Sequence, residues 1–253
     1  MSGVSPGGAG AVVLEARAKL TLSLRIVGVR ADGYHLVDAE MVTVDLADTL
    51  EVSPGDHLEV IGASGLAVPA DDDNLVRRAL AALDRRAAVR LTKRIPAGAG
   101  LGGGSADAAA VLRWAGCADL ALAASLGADV AFCLRGGRAR VSGIGEVVES
   151  LPLAELEGCA YTLLTPPFGV STPAVYRRWD ALGGPQGAGP NDLEAAALAV
   201  EPRLAAWRDR LGDATGETPV LAGSGSTWFV EGDHPGDDRV IVRVCGLPDP
   251  VAG

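Results

Sequence analysis

One stretch constrains this chain more than any other: Lys93-Arg94-Ile95-Pro96-Ala97-Gly98-Ala99-Gly100-Leu101-Gly102-Gly103-Gly104-Ser105-Ala106-Asp107. Five of the seven residues from Gly98 to Gly104 are glycine. An alternating run, Val89 to Ile95, precedes the loop, and an alanine-rich run, Ala106 to Ala115, follows it. The pattern predicts strand, glycine loop and helix start. Bare backbone N–H groups there can approach a ligand closely, and the helix start adds partial positive charge. A phosphate is the natural guest. No Gly-Lys-Ser or Gly-Lys-Thr closes the loop, so it is not a Walker A loop. It lacks the last glycine of the dinucleotide fingerprint and the acidic residue that closes a following strand. Taken alone, the run is also compatible with a plain flexible turn.

At 253 residues the chain is long enough for one large domain or two smaller ones. A 48% hydrophobic, 21% charged composition is that of a globular protein. The net charge of −10 argues against general nucleic-acid binding, which needs a basic face. It leaves room for a phosphorylated small molecule, because local basic groups can outweigh the global sign. Cys117, Cys133, Cys159 and Cys245 form no Cys-x-x-Cys pair, and three histidines complete a poor set of zinc ligands. Such scattered thiols read as reduced and cytoplasmic. No signal peptide or membrane span is expected, and residues 1–10 read as a disordered tail.

Along the chain, Val12 to Val29 predicts a strand with a break near Ala16. Met41–Val44, Thr49–Val52 and Leu58–Ile61 predict further strands, spaced as in an antiparallel meander. Asp71-Asp72-Asp73-Asn74 offers caps for a helix reaching about Ala88. Short helices are expected from Asp119 to Leu126 and after Asp129, then a strand at Arg138 to Val141. Pro152 to Gly158 reads as a connector between domains spanning residues 11–151 and 159–247. Beyond it the order is a strand to Thr165, a helix from Thr172-Pro173, helices after Asn191-Asp192 and Pro202, and strands flanking Gly223-Ser224-Gly225-Ser226 and at Arg239 to Cys245.

The order of Ala18-Lys19-Leu20-Thr21-Leu22, Arg30-Ala31-Asp32-Gly33-Tyr34-His35, the glycine loop, Gly127-Ala128-Asp129-Val130 and Gly223-Ser224-Gly225-Ser226 resembles the GHMP kinases (galactokinase, homoserine, mevalonate and phosphomevalonate kinases). The resemblance runs from about Ala16 to Val230. It implies a two-domain α+β fold. The N-terminal domain is ribosomal S5 domain 2-like with a left-handed crossover. The C-terminal domain is ferredoxin-like and trimmed, and the cleft between them holds ATP and substrate. Asp32-Gly33-Tyr34-His35 points to members that phosphorylate the 2-hydroxyl of a cytidylyl polyol in isoprenoid precursor synthesis. The partner implied is a small molecule, with no nucleic acid and no membrane, and the protein is a monomer or homodimer.

The resemblance also assigns roles. Lys19 and Asp129 match the catalytic pair. Pro96, Gly98, Gly100, Leu101, Gly102, Gly103, Gly104 and Ser105 match the residues that hold ATP, with Ser105 also near Mg²⁺. Thr21, Tyr34, His35, Tyr176, Gly223, Ser224 and Gly225 match positions that bind the acceptor, with Tyr34 and Tyr176 sandwiching the base. Local readings stand beside these roles: a helix N-cap for Ser105, a helix cap for Asp129, core packing for Tyr176 and a hairpin turn for Gly223 to Ser226. Asp107 suits the helix dipole but would repel a phosphate, so it is expected to face away or to cap, outside the site.

The chain departs from the family in several places. Thr21 replaces a usual asparagine, which opens the acceptor to another polyol or sugar phosphate. Val130-Ala131-Phe132 lacks a usual proline. Gly232 to Asp238 stands where a crossover helix is usual and is too short for a parallel crossover. The last strand is therefore expected to pair as a hairpin or in a rebuilt domain. A catalytically silent binding protein on the same scaffold is a further reading, opposed by the presence of both Lys19 and Asp129.

Overall fold

A computed structural model describes residues 11–62, 68–185 and 188–248. The expected tail at residues 1–10 lies outside them. Strands β1 (Val12–Val29) and β2 (His35–Ser53) form a long antiparallel hairpin in register from Val12↔Val52 to Val29↔His35. No break occurs at Ala16. Instead β1 has register shifts at Arg17/Lys19, Thr21/Ser23 and Ile26/Gly28. Such bulges bend a strand without ending it, and two of them bracket Lys19 to Thr21. The two strands expected at Met41 and Thr49 are one continuous β2.

The meander ends after β2. Strand β4 (Ala88–Thr92) lies between β2 and β3 (His57–Ile61), antiparallel to the former and parallel to the latter. Helix α1 (Leu75–Ala82) makes the crossover and is capped by Asn74, whose side chain accepts from Val76 N at 2.8 Å. It stops short of Ala88 because the chain reverses at Asp84, with φ +49°. That turn returns Ala88 to the sheet.

Helices α2 (Gly103–Trp114), α3 (Leu120–Leu126) and α4 (Val130–Arg135) follow. Ala106, Ala108, Ala109 and Ala110 are all buried. These small side chains let α2 pack closely among β1, α1 and α4. Strand β5 (Arg138–Gly143) pairs β2, and β6 (Val147–Leu151), unforeseen from the sequence, pairs β5.

The second sheet comprises β7 (Ala160–Leu164), β8 (Val220–Leu221), β9 (Trp228–Glu231) and β10 (Val240–Arg243) in the antiparallel order β10-β7-β9-β8. Counted within this sheet the order is fourth, first, third, second, as in a ferredoxin-like sheet. Helices α5 (Thr172–Ala181), α6 (Glu194–Val200) and α7 (Leu204–Thr215) link β7 to β8. The expected hairpin after β9 is not found. Strand β10 lies on the far side of β7, parallel in direction to β9, and residues 232–239 alone make the return. The return is short because each strand has four residues, a rise of about 13 Å. Thr162 anchors it, donating to Gly232 O at 2.8 Å and accepting from His234 N at 2.9 Å.

The sheets share a core in which Ala18, Leu20, Val42 and Val44 meet Tyr161, Leu163, Phe229 and Val242. This contact carries β1, and with it Lys19, up to the turn between β8 and β9. Among the described residues no helix is long and apolar enough to cross a membrane.

Candidate active site

A cavity of about 860 Å³ opens where the glycine loop, β1, α5 and the β8–β9 turn meet. Its walls include every loop residue from Pro96 to Ser105, together with Lys19, Thr21, Tyr34, His35, Asp129, Tyr176, Gly223 and Ser224. Gly225 is the exception among the expected site residues. Its N–H donates to Ala222 O at 2.9 Å, so that amide is taken up inside the turn.

The loop is fixed from both sides. Leu101 O accepts from Lys19 N at 3.1 Å, and Ala99 O accepts from Thr227 N at 3.2 Å. Gly100 has φ +78°, and a Cβ there would collide with Ala222 O and come 3.0 Å from Gly225 O. A Cβ on Gly102 would come 2.8 Å from Lys19 Cγ. Glycine is therefore required by close approach, not by looseness. Gly102 is the N-cap of α2 and makes no side-chain cap bond, so Ser105 sits inside the first turn and is not the cap. The first helical bond runs from Ala106 N to Gly102 O at 2.8 Å. The amides of Gly103, Gly104 and Ser105 lie ahead of that ladder, where an anion can meet them.

Beneath the loop is a buried charged group that the sequence did not reveal. Lys93 bonds Asp48, and donates to Asp107 at 2.7 Å. Asp48 also accepts from Ile95 N at 2.9 Å, which pins the chain entering the loop. Burial raises the Asp107 carboxyl to about 7, helped by the charge of Asp48 and opposed by Lys93. Asp107 is absent from the cavity wall and faces this group instead, as charge repulsion required.

Lys19 is 4% exposed. Its Nζ donates to Thr21 Oγ1 at 2.9 Å and lies 3.4 Å from Asp129 Oδ2. Asp129 stands at the N-cap of α4 but makes no side-chain cap bond. Its carboxylate, one-third exposed, turns to the cavity instead. The buried ammonium and the partly open carboxylate thus form an ion pair in the cavity wall.

The residues expected to bind a base line the same cavity. Tyr34 is 60% exposed. The ring nearest Tyr176 is His35, with centroids 4.8 Å apart. Tyr34 keeps its exposed ring in the cavity wall. Burial first, then the charge of Asp129, pushes the Tyr176 phenol up to about 12, so it stays neutral. Asn191, read in the sequence only as a cap, has a second role. Its Nδ2 donates to Leu221 O at 2.8 Å and Gly223 O at 2.7 Å while Oδ1 accepts from Leu193 N at 2.9 Å. The next residue, Asp192, binds Arg25 at 2.7 Å and accepts from Ile26 N at 2.9 Å. The pair ties the β8–β9 turn to β1.

Residues 74–137 match the family model for the GHMP kinases N terminal domain. The 4-diphosphocytidyl-2-C-methyl-D-erythritol kinase of Paracoccus denitrificans is 38% identical over 240 residues, covering 85% of this chain and 84% of that protein. The chain belongs to the 4-diphosphocytidyl-2-C-methyl-D-erythritol kinase family. The family member from Ruegeria pomeroyi is 39% identical, with 91% of each chain covered. A crystal structure of 4-(cytidine 5'-diphospho)-2C-methyl-D-erythritol kinase superposes with a TM-score of 0.68 at 34% identity, covering 88% of this chain and 91% of that one. The mevalonate kinase of Methanococcus jannaschii, 14% identical with a TM-score of 0.57, shares the fold. These likenesses bear out the two-domain α+β kinase fold expected from the sequence.

Proposed function

We propose that the protein transfers the γ-phosphoryl group of ATP to the 2-hydroxyl of 4-diphosphocytidyl-2-C-methyl-D-erythritol. The observation that carries the catalytic reading is the placement of Lys19 Nζ 3.4 Å from Asp129 Oδ2 in the wall shared with the glycine loop. Phosphoryl transfer depends on alignment and charge stabilisation. The amides of Gly103 to Ser105 hold the nucleotide phosphates. Asp129 takes the proton of the acceptor hydroxyl as its oxygen bonds to the γ-phosphorus, and the bond from that phosphorus to the ADP oxygen breaks. Lys19 stabilises the charge on the transferring group.

Among the described residues no cluster of three acidic, histidine or cysteine side chains could hold a metal alone. The cavity wall supplies the Ser105 hydroxyl and the Asp129 carboxylate. Mg²⁺ typically takes one or two protein oxygens besides phosphates and water, so this donor set fits an ion arriving with the nucleotide. Ser105 would hold it, and the ion would neutralise phosphate charge.

The cytidylyl acceptor is supported by the family relatives and by Tyr34, His35 and Tyr176 in one wall. Thr21 no longer argues for another polyol on its own, because its hydroxyl serves Lys19. Purified protein given ATP, Mg²⁺ and a panel of acceptors, with ADP release followed, tests the reading. Turnover confined to the cytidylyl acceptor is expected. Turnover only with another polyol would overturn the substrate, and nucleotide binding without turnover would favour a silent scaffold.

A further inference from the structure

His35 opens β2 and stands beside Tyr34 in the cavity wall. Its Nε2 lies 2.7 Å from Asp180 Oδ1. An ionised carboxylate only accepts, so the proton of that bond belongs to Nε2. Helix α5 explains the arrangement: Tyr176 and Asp180 are four residues apart and share a face. Tyr176 packs 4.8 Å from the imidazole, and Trp179 meets it edge-on at 5.5 Å. The His35 side chain is 9% exposed. Its Nδ1 has no hydrogen-bond partner among the described residues and is not a sealed atom, in a residue that lines the cavity. In a neutral ring protonated on Nε2, Nδ1 carries a lone pair and accepts.

We propose that Asp180 is a specificity-positioning residue: it fixes His35 as the Nε2–H tautomer, so Nδ1 accepts from an exocyclic amine and the site selects an aminopyrimidine over a ketopyrimidine. The inference rests on the cytidylyl acceptor proposed above. Cytosine presents an amino donor at C4, and uracil presents a carbonyl acceptor at the same position. Opposite Nδ1, the first forms a hydrogen bond and the second sets two lone pairs against each other. A site built to pair a polar group discriminates strongly against an analogue that leaves it unpaired. Asp180 touches neither base nor phosphate in this scheme and acts only through the ring. Its side chain is half exposed, so its removal leaves the core intact.

The test compares the unsubstituted enzyme with Asp180→Ala and Asp180→Asn at about pH 8, where an ordinary imidazole is neutral. The kcat/KM ratio for the cytidylyl acceptor over its uridylyl analogue is measured. In Asp180→Ala this ratio falls roughly tenfold or more, through the acceptor KM, with the ATP KM and the unfolding midpoint unchanged. Asp180→Asn restores most of the ratio, because its amide oxygen still accepts from Nε2–H. Nitrogen-15 NMR of His35 reads the tautomer without substrate: Nε2–H alone in the unsubstituted enzyme, a mixture in Asp180→Ala. An unchanged ratio in Asp180→Ala, an equal loss in both variants, or an Nε2–H ring that persists in Asp180→Ala overturns the inference. Failure of the unsubstituted enzyme to use either pyrimidine acceptor would fail the functional reading, while the NMR result judges the Asp180–His35 pairing separately.

Discussion

Thr21 Oγ1 accepts a 2.9 Å hydrogen bond from Lys19 Nζ, with both side chains buried at the cavity wall. The two residues lie two apart on β1, on the same face of the strand, so the strand itself sets this geometry. The ammonium is thereby aimed at Asp129. A valine at position 21 keeps the shape and removes the acceptor. Thr21→Val is expected to lower kcat about tenfold, in line with one lost hydrogen bond to a charged group, and Thr21→Ser to recover most of it. Steady-state kinetics with saturating ATP measure the effect.

Gly100→Ala tests the docking of the loop on the β8–β9 turn. The new methyl group meets Ala222 O and Gly225 O, and φ +78° disfavours any side chain. The variant is expected to be less stable by about 1–3 kcal/mol and to bind ATP at least tenfold more weakly. Urea unfolding and nucleotide titration report the two effects.

Much of this region was legible in the sequence. The loop and its following helix were identifiable by residue type and order, the family resemblance added Lys19, Asp129, His35 and Tyr176, and the structure brings these residues into one wall. What was not legible depends on contacts far apart in sequence. Asp48 falls between two expected strands and Lys93 within the alternating run before the loop, and only folding sets them together beneath it. Asn191 looked like a cap because capping is local; its bonds to Leu221 O and Gly223 O span about 30 residues. Ala87-Ala88 looked helical because alanine favours helices, and pairing of β4 with β2 overrode that preference. Gly232 to Asp238 looked too short because parallel crossovers usually take a dozen residues or more, and the four-residue strands of this sheet need less.

Asp107 gives the fold a pH dependence with a definite sign. Its folded carboxyl is raised from 3.8 to about 7, chiefly by burial. The folded state then holds this proton more tightly than the unfolded chain, so stability from this group falls as pH rises from about 4 to about 7. Asp107→Asn removes the titration. Its unfolding midpoint is expected to decline less between pH 5 and pH 8 than that of the unsubstituted protein, as thermal scans across that range would record. Equal slopes in the two proteins would remove Asp107 as the source.

Lys93→Met leaves Asp48 and Asp107 facing each other without their shared cation. Breaking a buried pair by removing one partner typically costs about 3–5 kcal/mol, and a loss in that range is expected at pH 8. Combining it with Asp107→Asn should recover part of the loss, because one of the two opposed charges is gone. A double-mutant cycle by chemical unfolding gives the coupling directly.

Asn191→Ala strands two buried carbonyls of the β8–β9 turn. The acceptor KM is expected to rise at least tenfold while the ATP KM changes less, since Gly223 and Ser224 lie on the acceptor side of the proposed site. Comparable increases in both constants would indicate a collapse of the whole cavity instead.

In the proposed reaction Asp129 accepts the hydroxyl proton beside Lys19. Single-turnover phosphoryl transfer by Asp129→Asn, with ATP affinity measured on the same sample, tests it most directly. The rate is expected to fall by about 10²–10⁴-fold with ATP affinity within a factor of about three. A transfer rate equal to that of the unsubstituted enzyme would contradict the account.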